Sequence, residues 1–277
     1  MRTALTIGGS DSSAGAGIQA DLKTFAAFGL YGVSPITAIT VQSTRGVEGV
    51  APLSADLVTA QIEAVAGDLA IAATKIGMLA SAAIVEAVAA AIEELDLPLV
   101  VVDPVLVSTS GERLLDADGI DALRNLLLPL ARLVTPNIPE AEALSGIGIT
   151  SKELLHEAAR RIHHMGARSV IITGGHPFTN ASNPQSPMAN SVAVEDVLFD
   201  GARFHDQRVA KIDSSHTHGT GCTFASAVAA GLALGRDLVD AAADAQQYVA
   251  GAIEHAPGLG HGRGPLDHFW RWRPRSG

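Results

Sequence analysis

The chain has little of several features that define other classes of protein. It contains a single cysteine, Cys222, so no disulfide can form within it and a reducing compartment is expected. Its 19 Lys and Arg against 29 Asp and Glu give a net charge of −10, which disfavours a nucleic-acid partner. No apolar run reaches the roughly 18 residues of a membrane span, and no secretory signal is visible. We therefore expect a cytoplasmic protein without nucleic-acid or membrane partners.

A high apolar content and an alternation of strand and helix patterns predict an α/β fold. The 277 residues are 47% hydrophobic and only 17% charged, which allows a large buried core. The predicted strands are Ala4–Gly8, Ser34–Thr40, Thr74–Gly77, Leu99–Asp103, Leu133–Thr135 and Ser169–Thr173. The predicted helices run from an N-cap at Ser54 to about Asp68, then over Ala82–Leu95, Gly119–Leu128, Pro139–Leu144, Lys152–Met165 and Leu238–His255. This order predicts a single domain, 1–277, with a mostly parallel sheet and helices on both faces.

Three segments depart from this alternation. Val41–Leu53 predicts a small hairpin that projects from the sheet. A second hairpin is predicted over Val192–Phe199 and Arg203–Val209, with Asp200 and Gly201 at its turn. Pro177–Asn190 is rich in Pro, Asn and Ser and predicts a flexible loop.

A small-residue loop opens directly into an apolar helical run near the C-terminus. Gly219, Thr220 and Gly221 precede Cys222 there. The first N–H groups of a helix lack intrahelical partners and carry partial positive charge, so this loop can hold a phosphate. An ordinary loop with a helix cap is the alternative. The Cys222 thiol has three open roles: a buried structural group, a nucleophile, or a base or polar partner of an attacking hydroxyl with a pKa lowered by the helix start.

Polar residues follow several predicted strands, at the sheet edge where open α/β folds bind ligands. The Gln42 amide offers a donor and an acceptor to the edge of an aminopyrimidine, or simply begins a loop. Asp103 can face a ligand or a hydrated Mg²⁺, or act in a turn. Asn137 and Glu140 can share one side of a helix start, where Glu140 either orients a Mg²⁺–water shell or caps the helix. Thr173–His176 either lets a nucleotide phosphate approach the backbone or forms an ordinary loop turn.

The first loop, Gly8–Lys23, contains Gly15–Ala20, which matches a variant of the dinucleotide-binding fingerprint. We reject that interpretation because the glycines lie too far past the strand and Gln42 stands where an acid is needed. The loop instead predicts a substrate site in which a small ring rests against Gly9. Asp21 either accepts a hydrogen bond from a substrate hydroxyl or places favourable charge near a helix start.

Together these segments resemble the hydroxymethylpyrimidine/phosphomethylpyrimidine kinases of thiamine biosynthesis, within the ribokinase-like superfamily. The resemblance covers roughly residues 3–270. It rests on Gly8–Lys23, Thr37–Gln42, Thr74–Met78, Asp103–Val105, Thr135–Glu140 and His216–Thr223. It implies a ribokinase-like three-layer α/β sandwich, ATP and Mg²⁺ as cofactors, addition of one and then a second phosphate to a small-molecule pyrimidine, and a homodimer.

The resemblance also implies roles for individual residues. The pyrimidine pocket would consist of Gln42, Gly9, Asp21, Met78 and Val105. The anion hole for the transferred phosphoryl group would consist of Gly219, Thr220 and Gly221, with Cys222 in the position where sugar-kinase relatives carry a catalytic aspartate. Asp103, Asn137 and Glu140 would help to bind Mg²⁺ and the nucleotide phosphates. Thr173 and Gly175, at the end of the predicted strand Ser169–Thr173, would also contact the nucleotide phosphates.

Two positions depart from the family pattern, since Thr173 and Thr109 stand where many relatives have Lys. Each change removes positive charge near the expected phosphates, which puts rate and nucleotide affinity in question. One alternative is therefore a catalytically weak pyrimidine-binding regulatory protein. Another is a pyridoxal or pyridoxine kinase, whose substrate is also a hydroxymethyl-bearing nitrogen ring. An acyl-transfer enzyme that uses Cys222 is a more distant alternative.

Overall fold

Ten strands lie in one sheet within the residues that the computed structural model describes, 1–108, 111–175 and 193–273. Thr109 and the predicted loop Pro177–Asn190 lie outside the described residues. The strands are β1 (Thr3–Asp11), β2 (Tyr31–Val33), β3 (Ile36–Ser43), β4 (Gly46–Pro52), β5 (Ile71–Ile76), β6 (Val100–Val102), β7 (Leu133–Val134), β8 (Val170–Gly175), β9 (Ala193–Phe199) and β10 (Phe204–Ala210).

Helices connect these strands and follow them. They are α1 (Gly17–Ala27), α2 (Ala55–Ala66), α3 (Ala82–Glu94), α4 (Ala117–Ala122), α5 (Ile138–Ser145), α6 (Lys152–His164), α7 (Thr220–Ala233) and α8 (Leu238–Glu254). Ser54 caps α2 by accepting a hydrogen bond from the Leu57 N–H, as its sequence position predicts. Within the described ranges, no helix has both the length and the apolar character that crossing a membrane requires.

The sheet has the order β10-β9-β8-β7-β6-β5-β1-β3-β4, and β2 pairs with β1. The strands from β8 to β3 in this order are parallel, because helical segments return the chain to the same edge each time. Antiparallel pairs occur at the two ends of the sheet: β3–β4 at one end, and β8–β9 and β9–β10 at the other. The predicted parallel sheet and both predicted hairpins are confirmed, except that Val192 lies outside the described residues.

Two hydrophobic cores cover the two faces of the sheet. Val100 and Val102 face the core formed with α2 to α6, whereas Val101 faces the core formed with α1, α7 and α8. Strand side chains alternate between faces, so a run of valines serves both cores. The predicted three-layer arrangement is confirmed.

Several boundaries differ from the prediction in ways that affect the ligand-binding edge. β1 continues to Asp11 instead of ending at Gly8, so Gly9 lies within a strand. β3 continues to Ser43, and Gln42 therefore projects from a strand and does not begin a loop. The three-residue β2 was not predicted, because so short a strand shows no periodicity. The helix predicted over Gly119–Leu128 begins earlier as α4 and continues as a π-helical turn.

Gly251 on α8 provides a test of this packing. A Cβ atom at Gly251 would lie 2.3 Å from Cζ2 of Trp270, whose indole N–H donates to the Tyr248 carbonyl. Gly251→Ala must displace the indole, and the better helix propensity of Ala offsets about 1 kcal/mol of this cost. We expect a net loss of about 1–2 kcal/mol in the free energy of unfolding, measured by urea denaturation.

Gly148→Ala is the matched control, since the space around Gly148 is open. It should change the free energy of unfolding by less than about 0.5 kcal/mol. A Gly251→Ala variant as stable as the parent protein would contradict the packing of Trp270 on α8.

Candidate active site

A cavity of about 460 Å³ lies at the carboxyl ends of the central strands, beneath the start of α7. Its lining residues come from segments far apart in the sequence. They include nearly all of the predicted site residues: Gly9, Asp21, Gln42, Met78, Asp103, Val105, Asn137, Glu140, Thr173, Gly219, Thr220, Gly221 and Cys222. Gly175, also predicted to lie at the site, pairs with Glu195 between β8 and β9.

The N-terminus of α7 points into this cavity because of a close approach between two loops. Gly219 has a φ of +84°, and a Cβ atom there would lie 1.9 Å from the Gly15 carbonyl oxygen. Only glycine fits this position. No side chain caps the helix, so its first N–H groups remain available to an anion in the cavity. The predicted loop therefore has the geometry of a phosphate-binding helix start.

A buried ion pair forms the floor of the cavity. The Lys75 Nζ lies 3.0 Å from each carboxylate oxygen of Asp21, and both side chains are buried. The same two oxygens accept hydrogen bonds from Thr6 (2.6 Å) and Ser226 (2.7 Å). Each Asp21 oxygen thus has two donors, which fills its acceptor capacity. We predicted that Asp21 could accept a hydrogen bond from a substrate hydroxyl. In the structure its carboxylate instead holds the Lys75 ammonium in place.

Lys75 remains an ammonium ion at this position. Burial alone would lower its pKa, but the nearby Asp21, Cys222 and Asp103 raise the pKa above its ordinary value. Lys75 was not predicted as a site residue, although a lysine inside an apolar strand is itself a sign of a buried partner.

Cys222 has a thiol pKa shifted in the direction opposite to our expectation. Burial raises the pKa of Cys222 to about 12, with Asp103 and Asp21 adding to the rise and Lys75 opposing it. The thiol is hydrogen-bonded to the Asp103 carboxylate. The predicted lowering by the helix start was wrong, because desolvation beside two carboxylates outweighs the helix dipole. A neutral thiol of this kind is a polar partner and not a nucleophile.

Asp103 and Glu140 face each other across the cavity wall. Asp103 is only 5% exposed, and its Oδ2 has no hydrogen-bond partner. Burial, and after it the charge of Asp103, raises the pKa of Glu140 to about 8. Glu140 also forms a capping box with Asn137 at the start of α5, so the capping alternative holds. Burial and the charge of Asp103 therefore favour the protonated form of Glu140 at neutral pH, and a bound cation would favour its ionised form.

These two carboxyl groups fit a magnesium ion that is shared with phosphates. Mg²⁺ usually takes one or two protein carboxylates and fills its other positions with water and phosphate oxygens. The Oδ2 of Asp103 makes no hydrogen bond and lies 3.8 Å from the Lys75 Nζ, and this oxygen is the ligand that Asp103 offers. Within the ranges described, no group of three or more His, Cys, Asp or Glu side chains offers a cation a site made of protein alone.

The opposite end of the cavity holds Gln42 beside a buried histidine. His218 is 5% exposed, and its Nε2 lies 2.8 Å from Asp11 Oδ2 and 3.2 Å from one end of the Gln42 amide. Burial would raise the pKa of Asp11, but hydrogen bonds from His218 and from the Ser13 and Ala16 N–H groups lower it to about 2. No local sequence pattern indicated the contact of His218 with Asp11.

An apolar wall lies between these two ends. A Cβ atom at Gly9 would lie 3.3 Å from the Met78 sulfur, so the Met78 side chain packs directly on this glycine. Val105 and Thr173 also line the cavity, and the Thr173 N–H donates to the Pro136 carbonyl. The wall and the start of α7 belong to the same cavity.

The raised pKa of Cys222 predicts its reactivity. Because Cys222 is the only cysteine, alkylation by iodoacetamide reports on this thiol alone. Between pH 7 and 10 we expect the rate to rise about tenfold per pH unit without levelling, since the thiolate fraction keeps growing. The urea-unfolded chain is the control and should level near its ordinary pKa of about 8.5. A plateau near pH 7 in the folded protein would contradict the assignment.

Comparison with known proteins agrees with this geometry. The family model described as phosphomethylpyrimidine kinase matches residues 11–267. The chain is 44% identical to the hydroxymethylpyrimidine/phosphomethylpyrimidine kinase of Haemophilus influenzae, over 97% of each chain. It is 48% identical to the thiamine biosynthesis bifunctional protein ThiED of Geobacter sulfurreducens, over 96% of this chain. The match spans about half of that longer relative, 52%.

A solved structure gives the same result for the fold. The ADP complex of Bacillus subtilis pyridoxal kinase superposes with a TM-score of 0.85 at 37% identity, covering 99% of this chain and 100% of the other. This likeness confirms the ribokinase-like fold class expected from the sequence. The chain belongs to the phosphomethylpyrimidine kinase family.

Proposed function

We propose that this chain transfers the terminal phosphoryl group of ATP to the hydroxyl of 4-amino-5-hydroxymethyl-2-methylpyrimidine, and then a second one to the monophosphate, in thiamine biosynthesis. The observation that carries the proposal is one cavity lined both by the Gly9–Met78 wall and by the uncapped start of α7. The name of the Haemophilus influenzae relative supports the same activity.

In this proposal the ring lies on the wall formed by Gly9 and Met78. Gln42 pairs with the edge of the aminopyrimidine, because its amide offers one donor and one acceptor. Val105 closes the ring site from the side of β6. The ring's hydroxymethyl group then points toward residues 219–222.

The start of α7 acts on the phosphoryl group. The N–H groups of Gly219, Thr220 and Gly221 stabilise the charge on the equatorial oxygens during in-line transfer. Such a loose transition state needs little help from a strong base, which agrees with a protonated Cys222 that positions the attacking oxygen. Lys75, held by Asp21, supplies positive charge from below.

We assign the nucleotide phosphates to the side of the cavity formed by Asn137 and Thr173. Asp103 and Glu140 would hold Mg²⁺ there, directly or through water. Bound Mg²⁺ would neutralise charge on the phosphate oxygens. Gly175, at the end of β8, is assigned to the same side, as the family resemblance implies. We extend the proposal to a cytoplasmic homodimer, as the family resemblance implies.

A pyridoxal kinase activity is the second candidate. It is favoured by the TM-score of 0.85 to the Bacillus subtilis pyridoxal kinase, over 99% of this chain. Pyridoxal shares the hydroxymethyl group and the flat nitrogen ring, so the Gly9–Met78 wall accepts either ring.

One experiment separates these candidates. Purified protein is incubated with Mg²⁺-ATP and either the pyrimidine or pyridoxal, and products are read by mass spectrometry. Successive mono- and diphosphates of the pyrimidine are expected. Phosphorylated pyridoxal alone would move the assignment to a pyridoxal kinase. Absence of product from folded protein that binds the pyrimidine would favour a regulatory binding protein.

Gln42→Leu tests the ring site. The substitution removes both hydrogen-bonding groups, so the KM for the pyrimidine should rise about 10- to 100-fold while the KM for ATP changes less than about twofold. Val41→Leu is the matched control, because Val41 is 61% exposed on the opposite face of the same strand. Equal losses for both substrates in Gln42→Leu would defeat the role assigned to Gln42.

A further inference from the structure

One nitrogen atom of His218 contacts both Asp11 and Gln42. Its Nε2 lies 2.8 Å from the Asp11 Oδ2 and 3.2 Å from the Gln42 amide. Asp11 is an acceptor only, since its carboxylate also accepts from three backbone N–H groups, those of Ser13, Gly15 and Ala16. The His218 Nε2 must therefore carry a proton and act as a donor.

This proton decides which end of the Gln42 amide faces His218. A donor cannot face the amide NH₂ group, so the Gln42 carbonyl oxygen must lie on the His218 side, because an amide's two ends are distinguished only by their partners. The other end lies 3.0 Å from the Thr40 Oγ1. Thr40 can donate its single hydroxyl proton to the Ser10 carbonyl, 3.0 Å away, so its oxygen accepts from the Gln42 NH₂ group. Both neighbours of Gln42 favour the same orientation.

The backbone fixes His218 in this position. A Cβ atom at Gly15 would lie 2.3 Å from the His218 Cδ2, so the imidazole packs edge-on against the first loop. The backbone N–H of His218 donates a hydrogen bond to the Gly264 carbonyl, with 3.1 Å between nitrogen and oxygen. The imidazole is 95% buried and cannot turn away without displacing Gly15.

We infer that the Asp11–His218 pair locks the Gln42 amide in one orientation and thereby makes His218 a specificity-determining residue. The locked amide presents its free lone pair and its free N–H to the cavity in a fixed order. A 4-aminopyrimidine offers the complementary order, with an amine donor beside a ring-nitrogen acceptor. A pyrimidin-4-one offers the reverse, a carbonyl acceptor beside a ring N–H donor. The inference rests on the proposed role of Gln42.

The test compares two rings on one enzyme preparation. The probes are 4-amino-5-hydroxymethyl-2-methylpyrimidine and its 4-oxo counterpart, and the readout is the ratio of their kcat/KM values. The parent protein should strongly favour the amino compound. In His218→Leu the Gln42 amide is free to turn over, so the ratio should fall about tenfold or more. Partial unfolding cannot produce this result, because it lowers both rates equally.

A conservative variant and a control complete the design. In His218→Gln the new amide NH₂ can donate to Asp11 and to the Gln42 oxygen together, so the ratio should return to within about threefold of the parent. His216→Gln alters a histidine of the same loop and should leave the ratio unchanged. The proposed role of His218 would be contradicted by an unchanged ratio in His218→Leu. It would also be contradicted if the parent protein used both rings equally well.

Gln42→Leu distinguishes failure of the lock from failure of the ring site. If Gln42→Leu abolishes the preference for the amino ring while His218→Leu preserves it, Gln42 selects the ring without help from His218. If discrimination survives in Gln42→Leu as well, the proposed ring site itself is wrong, and the lock with it.

Discussion

The buried ion pair between Lys75 and Asp21 connects the parts of this site. Lys75 belongs to β5 and Asp21 to α1, while Ser226 of α7 and Thr6 of β1 donate to the same carboxylate. Removal of one partner from a buried pair typically costs about 3–5 kcal/mol, because the remaining charge stays buried. The position of α7, and with it the anion site at residues 219–222, therefore depends on this pair.

The same pair sets the charges around the reacting groups. The Lys75 Nζ lies 3.8 Å from the Asp103 Oδ2. Asp103 in turn raises the pKa values of Glu140 and Cys222. Because Asp21 pairs with Lys75, this ammonium brings less net positive charge to the cavity than an unpaired lysine would. In the proposed reaction, the uncapped start of α7 and a cation on Asp103 would add to the charge that Lys75 supplies.

Local sequence patterns predicted the elements whose structure is set by residues close in sequence. The valines of Leu99–Asp103, the N-cap at Ser54 and the Gly-Thr-Gly loop before Cys222 all occur where expected. The contacts that were missed join distant positions. His218 and Asp11 are separated by 207 residues, and no periodicity records such a contact. The prediction of a lowered pKa for Cys222 was wrong for the same reason, because burial and groups from distant parts of the chain outweigh the effect of its own helix.

A double-mutant cycle on Lys75 and Asp21 tests this account most directly. The free energy of unfolding is measured for the parent, Lys75→Met, Asp21→Leu and the variant with both changes. We predict a loss of about 3–5 kcal/mol for each single change and a markedly smaller combined loss than their sum, since removing both partners leaves no unpaired buried charge. Losses that simply add would contradict the claim that this ion pair holds the site together.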